Sequence, residues 1–223
     1  MNPFGIFITA MLAAALVLLV VARLAVERIE RNHYAQRADF YAAHPVPPGS
    51  IVFLGDSITD GAAWEELFPN LPTRNRGING DTVSGVYERL DSIVSGRPTT
   101  VFILIGTNDL PFFEYHDDEH ILFYYRKILE RFYQESPQTR VWVQSILPRH
   151  PRHTRRILGL NAALKRIAPE YGAGFINLFP LFVGEDGGLR RELTNDRLHL
   201  MASGYTLWVE RIAPEVHAAV SRA

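Results

Sequence analysis

From Ser50 onward, short apolar stretches of strand type alternate with longer helix-compatible stretches, and nothing else in the chain limits the fold as tightly. Residues 51–54, 101–105, 141–146 and 174–178 read as strands, and 75–78 as a short second strand after the first. Between them, helices are expected over 62–68, from Gly80-Asp81-Thr82 to about 94, over 120–134, 155–168 and 202–220. Pro69 and Pro169 stop two of them. Continuous apolar runs bounded by turn residues mark strands buried on both faces. Strands alternating with helices build a mostly parallel sheet covered on both sides. Right-handed crossovers then place a ligand crevice at the carboxyl ends of the strands. The chain shows no internal repeat.

The first of those ends is the most informative. Ile51-Val52-Phe53-Leu54 runs into Gly55-Asp56-Ser57, and a stretch able to begin a helix follows. A serine in that turn has an exposed hydroxyl at the sheet edge and an N–H pointing out of a nascent helix. Such a helix start favours an oxyanion formed on attack by Ser57. The same pattern also suits a serine that merely caps a helix.

The other strand ends carry polar blocks as well. Arg76-Gly77-Ile78-Asn79-Gly80-Asp81-Thr82 follows the second strand, and Gly106-Thr107-Asn108-Asp109 follows the third. Asp196-Arg197-Leu198-His199 stands just before the last helix. With these four blocks in this order, the chain resembles the SGNH (GDSL-type) hydrolase superfamily over residues 51–199. Its second block is similar to the platelet-activating-factor acetylhydrolase type. The resemblance implies a flavodoxin-like three-layer α/β/α sandwich with a five-stranded parallel sheet in the order 2-1-3-4-5. It also implies an oxyanion hole made by the N–H of Ser57, the N–H of Gly80 and the side-chain amide of Asn108. Gly80 equally suits a turn with positive φ, and Asn108 an Asx turn.

The residues themselves support nucleophilic chemistry. A serine hydroxyl needs a base, which His199 can be, and Asp196 three residues earlier can reach its Nδ1–H and hold the tautomer. An isolated Asp-x-x-His is more often a salt-bridged histidine. His217 is a competing base, carried by the last helix. Gly-x-Ser-x-Gly, the nucleophile elbow of the α/β-hydrolases, surrounds no serine here. A rival motif, His116-Asp117-Asp118-Glu119-His120, fits the zinc pattern H-x-x-E-H, yet it also fits the acidic first turn of an amphipathic helix. The solvated turn is the expectation, with no metal and no cofactor.

The N-terminus carries a different signal. The 19 residues from Phe4 to Ala22 are uncharged and mostly Ala, Leu, Val and Ile. As a helix they span about 28 Å, close to the hydrocarbon thickness of a bilayer. No Lys or Arg precedes the run, Arg23 follows it, and no small-x-small pattern appears between Arg23 and Asn32, which favours an uncleaved single-pass anchor over a signal peptide. Residues 1–26 are thus expected to be an anchor, 27–49 a helical arm with a Pro-rich linker, and 50–223 the hydrolase domain. Arg23, Arg28, Arg31 and Arg37 follow the anchor and point by the positive-inside rule to a cytoplasmic domain, although large domains are translocated despite such charge.

A net charge of −1 gives no reason to expect nucleic acid, and the absence of cysteine excludes thiol catalysis, disulfides and Cys-ligated metal. Nothing in the pattern bears on oligomeric state. The expected partners are the membrane and a small-molecule or lipid ester. Carboxylic ester hydrolysis through an acyl-serine is the leading reading. A thioesterase, a lysophospholipase, or a catalytically silent module that binds carbohydrate or lipid are the alternatives. Trp64, Phe112 and Phe113 either wall an apolar acyl pocket or pack under a long loop. Arg149, in a basic loop with Arg152, Arg155 and Arg156, is placed to meet a phosphate or a lipid headgroup.

Overall fold

A computed structural model of the chain describes residues 2–110 and 116–220, apart from the side chains of 5 and 6. Its centre is a five-stranded sheet of β1 (Ile51–Gly55), β2 (Thr73–Gly77), β3 (Thr100–Leu104), β4 (Arg140–Gln144) and β5 (Gly174–Ile176). All neighbours pair in parallel, in the order β2-β1-β3-β4-β5. The expected flavodoxin-like order is therefore the observed one. β1 and β3, the two apolar runs, are buried at every position because helices cover both of their faces.

The helices are α1 (Pro3–Ala43), α2 (Ser57–Asp60), α3 (Trp64–Leu67), α4 (Val83–Glu88), α5 (Asp91–Val94), α6 (Asp118–Glu135), α7 (Thr154–Glu170), α8 (Phe179–Phe182) and α9 (Ala202–Val220). On one face of the sheet α4 to α7 bury Val86, Leu90, Ile121, Tyr125, Ile157 and Leu164 against Val52, Leu54 and Ile103. On the other, α9 and the short α2, α3 and α8 bury Trp208, Ile212, Trp64 and Phe182 against Phe53 and Phe102. Each fully buried side chain of this size contributes about 1.5–3 kcal/mol of transfer free energy, so these two cores position everything at the sheet edge.

Several elements differ from expectation, each for a local reason. The helix expected over 62–68 is a single turn, α3, and the stretch that follows Gly55-Asp56 is another separate turn, α2. With one turn there is little aligned dipole, so anion stabilisation next to Ser57 must come from individual N–H groups rather than from a helix field. The helix expected to run to about 94 breaks at Arg89, whose guanidinium turns inward to Asp81 Oδ2 (2.7 Å) and to the carbonyls of Gly55 (3.1 Å) and Arg76 (2.9 Å). β2 begins two residues earlier than expected. It is a polar edge strand whose Asn75 donates to the carbonyls of Asp60 (3.0 Å) and Ala62 (3.2 Å), tying it to the turn after β1. β5 ends early, at Ile176, where Ser145 Oγ accepts from the N–H groups of Leu178 (2.8 Å) and Phe179 (2.9 Å) and α8 begins.

α1 is one continuous helix of 41 residues. It is long and apolar enough to cross a membrane by length and composition, with a mean hydropathy of 2.5 in its most apolar window, none of which is buried. Its C-terminal turns do not form a free arm. Tyr41 is 2% exposed, its hydroxyl donates to the Gly77 carbonyl (3.3 Å), and its ring is covered by the guanidinium groups of Arg37 and Arg76. Val46, in the Pro-rich stretch, is buried too and packs into the first core.

Candidate active site

Gly55 ends β1 because no side chain fits there. A Cβ would stand 2.1 Å from the Leu104 carbonyl oxygen and 2.3 Å from Thr59 Oγ1. Asp56 follows as the cap of α2, accepting from the Ile58 N–H at 3.0 Å. It is wholly buried, its Oδ2 has no hydrogen-bond partner, and burial pushes its carboxyl up to about 7, with the Asp81 and Asp109 carboxylates adding to the rise. Between this buried cap and solvent, Ser57 holds its hydroxyl at the carboxyl edge of the sheet.

The histidine that meets it comes from 142 residues further along. His199 Nε2 lies 3.0 Å from Ser57 Oγ, and His199 Nδ1 lies 2.6 Å from Asp196 Oδ2. The loop that makes this possible is strongly specified. Asp196 Oδ1 accepts from the N–H groups of Leu198 (2.9 Å) and His199 (2.8 Å), while Thr194 Oγ1 accepts from those of Asp196 (3.3 Å) and Arg197 (2.9 Å). Arg197 adopts φ +64°, a left-handed turn that folds the Asp196 carboxylate back onto the ring, and its guanidinium is anchored on Asp186 (2.8 Å). Burial raises the Asp196 carboxyl, but the hydrogen bonds from His199 Nδ1–H and from the backbone outweigh it and hold it down at about 2. An ionised Asp196 keeps the Nδ1–H tautomer and leaves Nε2 free to accept from Ser57. His217 meets Phe68 instead.

The second and third blocks are latched together beside the serine. Gly80 has φ +76° with open space around its Cα, and Asn108 Nδ2 donates to the Asp81 carbonyl (2.9 Å). A primary amide carries two N–H groups, so one remains for a ligand. Asp109, fully buried, accepts from the N–H of Val83 (3.2 Å) and from His116 Nδ1 (2.9 Å). Arg149 donates to the Thr107 carbonyl (2.8 Å), and the Asp56 and Asp196 carboxylates lie within its electrostatic reach. Burial lowers its pKa. It is an internal tie at the site more than a free cation.

Other sequence readings fare differently. Trp64 is 2% exposed, stacked on Phe53 at 3.6 Å, edge-on to Trp208, and donates to the Thr59 carbonyl (3.0 Å). It is core, so it does not wall a substrate pocket. Phe112 and Phe113 lie outside the described residues. Arg156 pairs with Asp118 (2.7 Å) and the His116 carbonyl, bridging α7 to the start of α6. In the H-x-x-E-H stretch, Asp117 caps α6, and His116, bonded to Asp109, stacks on His120 at 4.1 Å. Among the described residues, no group of three His, Cys, Asp or Glu side chains is set to hold a metal.

Three residues tie the site together without having been singled out in the sequence. Asp109 sat in a quoted block, next to Asn108. Arg89 left no mark beyond an ordinary charged helix residue, and Tyr205, whose hydroxyl donates to the Ile58 carbonyl (2.9 Å), reads as a core aromatic.

A parallel α/β sandwich with a Ser, a Gly and an Asn after its first three strands and a His just before its last helix defines a class, the carboxylic ester hydrolases of the SGNH superfamily. The family model of the GDSL-like lipases and acylhydrolases matches residues 53–207, and the chain belongs to that family. It is 33% identical over 168 residues to platelet-activating factor acetylhydrolase IB subunit alpha1 of Bos taurus, covering 70% of each chain. Against subunit alpha2 of Rattus norvegicus it is 27% identical over 167 residues, again with 70% of each covered. The crystal structure of a GDSL-like lipase from Bacteroides thetaiotaomicron superposes with a TM-score of 0.71 at 24% identity, over 83% of this chain and 98% of that one, a likeness of fold.

Proposed function

We propose that this chain is a membrane-anchored serine esterase that works through an acyl-Ser57 intermediate without a metal. The observation that carries the reading is the unbroken chain of hydrogen bonds from Asp196 through His199 to Ser57 at the mouth of the sheet. In the first half-reaction Ser57 Oγ bonds to the ester carbonyl carbon while its proton passes to His199 Nε2. The charge on the former carbonyl oxygen is met by the N–H groups of Ser57 and Gly80 and by the free amide N–H of Asn108. Collapse breaks the ester C–O bond, and the alcohol leaves with the proton from His199. In the second half-reaction His199 takes a proton from water as its oxygen bonds to the acyl carbon; the acyl C–Oγ bond then breaks, His199 returns the proton to Ser57 Oγ, and the acid leaves. Asp196 stays ionised throughout and stabilises the imidazolium formed in each half.

The names of the curated relatives support an acetyl or similarly short acyl group as the first candidate. The test is a chain-length series of p-nitrophenyl esters on the full chain in detergent, together with fluorophosphonate labelling. Ser57 should be the labelled residue, and Ser57→Ala should abolish labelling and lower kcat by several orders of magnitude while the thermal transition persists. Labelling at another serine of an active enzyme would overturn the assignment. The apolar stretch of α1, with none of its most apolar window buried, supports the anchor reading, and the arginines after it support a cytoplasmic hydrolase domain. Glycosylation-site tagging on either side of the helix would decide the orientation.

A further inference from the structure

A cleft of about 900 Å³ opens beside the oxyanion residues, lined on one side by Asn79, Gly80 and Asn108. Its other side is α1. Arg23, Glu27, Glu30, Arg31 and Tyr34 all face it, so the helix that carries the apolar span borders the same cleft as Gly80 and Asn108. We propose that residues 23–34 of α1 are a wall of the substrate site. On this proposal they seat the polar portion of the ester and select it by charge. The inference rests on the serine-esterase reading above and adds to it a binding surface contributed by the anchor helix.

Three observations carry the argument. First, the wall is fixed in place. Below the cleft the Tyr34 hydroxyl reaches the Gly85 carbonyl (3.4 Å), Tyr41 is bonded to Gly77, and Arg37 stands 3.7 Å from Asp60. Each of these contacts lands on a block that carries or follows Ser57 or Gly80, so α1 and the oxyanion loop hold one geometry. Second, the wall sets Arg23 and Arg31 against Glu27 and Glu30, with His33 beside them, and Arg23 is paired to Glu27 at 2.8 Å. A wall of net zero charge with donors and acceptors side by side suits a neutral or zwitterionic polar group and disfavours a net anion. Third, the distance to the membrane is short. From Arg23, where the apolar run ends, to Tyr34 is 11 residues of helix, about 16 Å of rise. The polar portion of an ester lying at the bilayer surface would therefore enter the cleft along this wall.

The proposal predicts a change in charge preference that is specific to position. In the full chain, Glu27→Gln with Glu30→Gln makes the wall net cationic. Asn32→Lys with Gln36→Lys raises the charge of α1 by the same amount at exposed positions outside the cleft. The readout is the ratio of kcat/KM for monoanionic p-nitrophenyl hemisuccinate to that for neutral p-nitrophenyl butyrate. A ratio is insensitive to the fraction of folded enzyme. Removing two negative charges from the wall should move it at least about fivefold toward the anion. The Lys variant should leave it unchanged within about twofold, since its added charges are solvated and screened. No shift in the Gln variant, or equal shifts in both, would overturn the wall. Fluorophosphonate labelling is run on every variant. If Ser57 of the wild-type chain is not labelled, the esterase reading has failed. If it is labelled and the ratio does not move, only the wall has failed.

Discussion

At the scale of single residues, the structure keeps one carboxylate, Asp196, charged and another, Asp56, buried. Asp196 is held at about 2, so it contributes no ionisation of its own above pH 4. On the proposed mechanism its charge holds the Nδ1–H tautomer of His199 and leaves Nε2 to accept from Ser57. Asp196→Asn should lower kcat by about 10³–10⁴ at neutral pH, because the amide favours the wrong tautomer. Asn108→Ala, which removes one oxyanion donor, should cost about 10²–10³ in kcat with little change in KM. A raised KM with kcat intact would make Asn108 a ground-state binding residue.

Asp56 shows the opposite linkage. Its folded pKa, near 7, lies above the ordinary 3.8, so the folded state keeps a proton that the unfolded chain gives up near pH 4. The stability this contributes is complete below pH 4 and is lost as pH rises toward 7. Asp56→Asn keeps the cap and has no proton to lose, so its Tm should fall less between pH 5 and 8 than that of the wild type. Parallel Tm curves for the two proteins would contradict a buried, proton-holding Asp56.

At the scale of elements, what was legible in the sequence follows from what each stretch faces. β1 and β3 could be read because both faces are buried, so their apolar runs are continuous. The four blocks could be read because turns and caps need particular residue types, and the Asp196–His199 spacing alone brings the two side chains into reach. The break at Arg89 could not, because an arginine that turns inward to three partners from two other segments looks like any helix charge. Trp64 misled for a related reason. Aromatic residues line pockets and fill cores alike, and only the contacts decide. Trp64→Ala should destabilise the chain by about 3–5 kcal/mol, as large core truncations do. Under conditions where the variant is folded, its KM should match the wild type. A raised KM in the folded variant would return Trp64 to the substrate site.

At the scale of the whole molecule, the anchor and the hydrolase are less separate than the sequence suggests. A polar stretch after an apolar span reads as a solvated arm, since the charges on 23–37 give no sign of which face is docked. In the structure that arm is packed on the second block through Tyr34 and Tyr41. The block that holds Gly80 and the C-terminal turns of the long N-terminal helix are thus in contact, and assays belong on the full chain. The measurement that tests the central claim most directly is capture of the acyl-enzyme. The full chain is mixed with p-nitrophenyl acetate, quenched in acid within the first turnovers, digested and analysed by mass spectrometry. The account predicts one acetyl group, on the peptide containing Ser57, formed at the burst of p-nitrophenolate and absent from Ser57→Ala. Steady turnover with no acetylated peptide at any quench time, or acetyl carried on a different residue with Ser57 unmodified, would contradict it.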